Sequence, residues 1–145
     1  MSVYIPVALR RDVQAQFNHC CAYCHTAEQL TATTYEIEHI IPLVDGGETI
    51  LSNLCYSCPM CNRYKGMRQT AVTPQTNVTI TLFHPQKEQW ETHFAWNETC
   101  TELIGLTATG RATINALKIN RPQLVRVRRM WVKLGEHPPK GYSTK

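Results

Sequence analysis

Four cysteines in two Cys-x-x-Cys pairs constrain this chain more than any other feature. Cys21 and Cys24 form the first pair, Cys58 and Cys61 the second. Thiolates at this spacing build closed tetrahedral zinc sites. A structural zinc is therefore expected on Cys21, Cys24, Cys58 and Cys61. Spacing alone leaves the second pair ambiguous, because Cys55 also stands three residues before Cys58. Pro59 favours Cys58 and Cys61, since proline suits the first turn of a helix entered from a knuckle. Seven cysteines is an odd count, and disulfide scaffolds belong to short secreted chains. Metal binding in a reducing, cytoplasmic setting fits better. Cys20, Cys55 and Cys100 then read as core or incidental thiols.

The segment between the pairs alternates and turns. From Tyr35 to Ile40, Tyr35 and Ile37 point to one side of a strand, Glu36 and Glu38 to the other. Pro42 closes it, and Asp45-Gly46-Gly47 reads as a turn. Thr49 to Leu51 is the expected short return strand. Ser52 suits the N-cap of a short helical turn carrying Asn53 and Leu54. A helix is expected from Met60 to Lys65, opened by Pro59 and stopped by Gly66.

The order Cys21-Ala22-Tyr23-Cys24, Glu38-His39, Gly46-Gly47, Asn53-Leu54, Cys58-Pro59-Met60-Cys61-Asn62, Lys65-Gly66 resembles the HNH endonuclease family, in the type that also carries a four-cysteine structural zinc. The resemblance covers residues 5–68 and agrees with the choice of Cys58 and Cys61. It implies an α+β fold, with a ββα-metal core pinned by the zinc and a helical C-terminal extension. It also implies roles. Glu38 and Asn62 would hold one catalytic divalent ion, His39 would be the general base, and Asn53 would hold the loop that positions the histidine. Carboxylate and amide oxygens are hard ligands, which suits Mg²⁺ or Mn²⁺. The sequence departs from the commonest family pattern twice: Glu38 stands where Asp is usual, and Asn62 where many members have His. Glu36 shares the Glu38 face as a reserve ligand, although a solvated strand carboxylate is the preferred reading of it.

Residues 1–68 are expected to form the nuclease core and 69–145 a C-terminal extension. Pro6 to Phe17 reads as a helix with Leu9, Val13 and Phe17 on one face. Gln69 to Val78 reads as loop, Val78 to Phe83 as strand, and Lys87 to Trp96 as helix. Thr107 caps a helix running to Ile119, and a last helix follows Asn120-Arg121-Pro122 to Leu134. Charge is segregated. Up to Glu102 there are 6 basic and 10 acidic residues; beyond it there are 9 basic and 1 acidic. A basic final third points to a polyanion. Arg126, Arg129 and Lys133 would contact DNA phosphates opposite an apolar stripe of Leu124, Val127, Trp131 and Leu134, and Arg63 and Lys65 would do so beside the metal helix.

The function implied is metal-dependent hydrolysis of DNA phosphodiester bonds, leaving 5′-phosphate and 3′-hydroxyl ends. A zinc-stabilised nucleic-acid-binding module without catalysis is the rival. A thiol redox protein is a third class, but it lacks a thioredoxin-like βαβ context. No apolar run is long enough for a membrane span, and the opening residues do not read as a signal peptide.

Overall fold

The computed structural model describes residues 3–73 and 75–139; the end of the expected extension, 140–145, lies outside them. Helix α1, Val7–Gln16, starts directly after Pro6 and buries Val13. Asn18 and His19, both at φ 53°, turn the chain out of it into the first cysteine pair. Strand β1, Glu36–His39, pairs antiparallel with β2, Leu54–Ser57, and sets Glu36 opposite Ser57, Glu38 opposite Cys55 and His39 opposite Leu54. All of β2 is buried. Helix α2, Pro59–Lys65, follows with proline in its first turn; Cys58 caps it by accepting from the Cys61 amide at 3.4 Å. The chain is thus an α+β protein built on a β–β–α unit.

The return strand expected at Thr49–Leu51 starts five residues later, at Leu54. Ile50 and Leu51 are 45% and 40% exposed, so they do not form the buried partner of β1. Leu51–Asn53 is instead a single 3-10 turn, and Leu54 opens the strand.

The extension carries more strand than expected. Thr79–Thr81 (β4) falls within the strand expected at Val78–Phe83, and it pairs as a hairpin with Thr70–Val72 (β3), which lies in the segment read as loop. The helix expected over Lys87–Trp96 is one turn, α3 at Trp90–His93. Phe94–Trp96 is β5, paired with β6 at Leu103–Gly105. The backbone hydrogen bonds turn outward here: the His93 carbonyl accepts from the Leu106 amide at 2.8 Å, and the Asn97 amide donates to the Glu102 carbonyl at 3.0 Å rather than back to His93. Gly110 lets the next helix lie close, since a Cβ there would fall 2.1 Å from the His93 carbonyl oxygen. That next helix, α4, is Ala108–Ala116, with the Thr107 hydroxyl accepting from the Gly110 amide at 3.0 Å. Helix α5, Pro122–Lys133, ends before Gly135, which sits at φ 72°.

One apolar cluster runs through both parts, from Val13, Tyr23 and Leu54 to Phe83, Phe94, Leu117 and Leu124. The Trp90 indole donates to the Tyr23 carbonyl at 2.9 Å. Arg128 is completely buried, and its guanidinium donates to the carbonyls of Thr101 at 2.9 Å and Ile119 at 3.0 Å. Leu134, expected in the apolar stripe of α5, is the C-cap residue on which that helix ends and is 74% exposed.

Candidate active site

The β–β–α unit brings the cysteine pairs together. The sulfurs of Cys21, Cys24, Cys58 and Cys61 all lie within 4.8 Å of one another, and all four residues are buried. The Cys24 and Cys58 sulfurs are 3.9 Å apart. Zinc–sulfur bonds of about 2.3 Å in a tetrahedron place sulfurs about 3.8 Å apart, so the donor set fits the ion. Hydrogen bonds from Cys21, then Cys58 and Cys61, hold the Cys24 thiol well below its usual range. Cys55 lies outside the cluster, with its sulfur 3.8 Å from both the Tyr23 hydroxyl and the Glu38 carboxylate.

An open groove of about 440 Å³ runs along the edge of β1. Arg10, Glu36, His39 and Asn62 are among its lining residues. His39 Nε2 and the Thr49 hydroxyl share a hydrogen bond of 2.9 Å. Partial burial pushes the His39 pKa below its ordinary value, which keeps the ring neutral and able to accept a proton at neutral pH.

Asn53 holds the loop behind that histidine. Its Oδ1 accepts from the Ile41 amide at 2.9 Å; its Nδ2 donates to the carbonyls of Ile41 at 3.1 Å and Glu48 at 2.9 Å. Both ends of the loop are thereby tied to one side chain. Gly47 is required there, because a Cβ would fall 1.8 Å from the Ile41 carbonyl oxygen.

The carboxylate that meets Asn62 is Glu36, not Glu38. Asn62 Nδ2 donates to Glu36 Oε1 at the protein surface. Glu38, two residues on along the same face, is only 6% exposed. Its Oε2 accepts from the Tyr23 hydroxyl at 2.6 Å and pairs with the Lys65 ammonium at 3.4 Å. Burial raises its pKa, and Lys65 opposes that rise. The reason lies in the register: Glu38 faces Cys55 across the sheet and turns inward over it, whereas Glu36 sits at the open end of the pair.

Lys65 is likewise removed from the expected DNA contacts. It is 2% exposed, held by Glu38 and by the Ile40 carbonyl at 3.2 Å, so no phosphate can reach it. Arg63, Arg126, Arg129 and Lys133 are exposed. Arg10 is the groove residue that sequence reasoning missed. Its place on α1 carries no motif, and only the packing of α1 against β2 brings it there.

Residues 21–68 match the HNH endonuclease family. That segment is an HNH domain. No curated protein and no solved structure matches the chain. The HNH domain contains all four clustered cysteines together with Glu36, Glu38, His39, Asn53 and Asn62. Among the described residues no helix is long and apolar enough to cross a membrane.

Proposed function

We propose that the protein is a metal-dependent endonuclease acting on DNA. The observation that carries this reading is the groove of the HNH domain, where a neutral histidine, an amide and a carboxylate converge on one open surface. Hydrolysis of a phosphodiester needs an activated water, positive charge on the crowded phosphate and help for the leaving oxygen. When bound, a Mg²⁺ or Mn²⁺ ion supplies the last two. Asn62 and a carboxylate from the α2 side of β1 would hold it through hard oxygen ligands.

The chain's own residues supply the rest. His39 takes the proton of the attacking water, with its ring oriented by Thr49 and its loop tied by Asn53. Arg10 puts positive charge on the α1 side of the groove, where a phosphate can be gripped. Cys21, Cys24, Cys58 and Cys61 would hold a closed, structural zinc, which would tie the turn after α1 to the start of α2. Arg63, Arg126, Arg129 and Lys133 would grip the duplex backbone.

Incubation of supercoiled plasmid with Mg²⁺, with and without EDTA, tests the proposal. Nicked or linear product that depends on the ion and is lost in His39→Ala supports it. Retained DNA binding with no cleavage at any divalent ion would make the protein a zinc-stabilised binding module instead.

A further inference from the structure

We propose that Glu36, rather than Glu38, joins Asn62 as the carboxylate ligand of the divalent ion; this rests on the nuclease reading above. Glu36 and Asn62 already touch across the mouth of the groove. The amide presents its nitrogen to the carboxylate there. A half-turn about the side chain exchanges amide nitrogen and oxygen, so that Oδ1 and Oε1 face each other. Two oxygen acceptors side by side repel unless a cation lies between them, so the pair is one rotation away from a cation clamp. The groove outside it is open, leaving room for the waters that Mg²⁺ keeps.

Glu38 offers the opposite environment. Its Oε2 is engaged by the Tyr23 hydroxyl and the Lys65 ammonium. A divalent ion at that oxygen would face the lysine charge at short range inside the protein, where screening by water is weak. Its other oxygen, Oε1, is buried with no hydrogen-bond partner among the described residues. Reaching it would require the ion to shed its hydration, which Mg²⁺ does reluctantly. In this arrangement Glu38 and Lys65 form an internal ion pair beneath the site, and Glu36 forms its outer wall.

Mn²⁺ titration of the zinc-loaded protein, followed by the EPR signal of free Mn²⁺, separates the two carboxylates. Glu36→Gln is exposed and leaves the core intact. It should weaken Mn²⁺ binding by at least about tenfold, the lower bound even for changes one shell further out. Combining it with Asn62→Ala should add little, because both remove the same ion. Glu38→Gln should bind Mn²⁺ as the parent does; should it misfold, Glu38→Gln with Lys65→Met removes both buried charges together and answers the same question. Loss of binding in the Glu38 variants with retention in Glu36→Gln would overturn the assignment and leave the nuclease reading standing. Equal loss in both would overturn it as well. A parent protein that binds no Mn²⁺ and cuts no DNA would remove the nuclease reading itself.

Discussion

The Lys65 ammonium lies 3.4 Å from the Glu38 carboxylate, and their side chains are only 2% and 5% exposed. Each residue is there because of the other. A lone charge at either position would carry a desolvation cost of several kcal/mol. Lys65→Met should therefore destabilise the protein by about 3–5 kcal/mol, the usual cost of breaking a buried pair on one side. Adding Glu38→Gln should restore much of it, as read by urea unfolding. The sign with pH follows from burial. Glu38 has a raised pKa, so the folded state favours its protonated form, and stability is lost as pH rises through that pKa. In Lys65→Met the offset is gone, and the deficit should be larger at pH 8 than at pH 5.

His39→Ala should reduce cleavage by about 10²–10⁴, typical for loss of a general base, with melting temperature and DNA affinity held. Cleavage by the parent protein should show an acid limb below the ordinary histidine value, because burial lowers the His39 pKa. The rate should rise with pH through that pKa, as the ring loses its proton, and then level. A limb above the ordinary value would contradict this.

The cysteines make a paired prediction. Purified protein should hold about one zinc per chain, by the four-thiolate rule. Cys58→Ser should unfold or aggregate. Cys55→Ser should retain the metal, because its sulfur faces Tyr23 and Glu38 rather than the cluster. Zinc content by mass spectrometry and a thermal melt decide between them.

On α5, neighbouring arginines should behave in opposite ways. Replacing Arg126, Arg129 and Lys133 by Gln should weaken binding to unrelated DNA sequences alike, since a grip on phosphate carries no base information. The slope of log K against log salt should shrink by about 0.9 for each phosphate no longer neutralised, with little change in melting. Arg128→Gln should instead lower the melting temperature, because it strands the buried Thr101 and Ile119 carbonyls. An unchanged salt slope in the triple variant would shift the DNA grip to Arg63.

Sequence reasoning reached furthest where chemistry restricts the residue. Cysteine spacing narrows the second pair of the thiol cluster to two choices without any fold, and Pro59 with the family resemblance selects Cys58 and Cys61, the pair that the structure clusters with Cys21 and Cys24. Pro59, Gly66 and Thr107 mark helix ends that the structure has, since each acts through its own backbone or cap. Glu36 and Glu38 are not separable in this way. Alternation places both on one face, and only the contacts with Asn62, Tyr23 and Lys65 send one outward and the other inward. Lys65 fails as a DNA residue for the same reason: a lysine beside a basic run reads as solvated until a buried carboxylate is seen beneath it. The helix expected over Lys87–Trp96 gives way at Phe94 to pairing with Leu103–Gly105, with the His93 carbonyl taken by the Leu106 amide, a tertiary arrangement that no local pattern encodes.

The hydrogen bond from Trp90 to the Tyr23 carbonyl limits how this protein can be cut down. Tyr23 lies between the first two cysteines, and the residue that covers it comes from beyond the HNH segment. A fragment ending at residue 68 would expose the knuckle's backbone and the neighbouring thiols to water and oxidants. The HNH module is therefore not portable by itself. A chimera that borrows it must also carry the chain at least as far as Trp90, or supply another lid of similar shape.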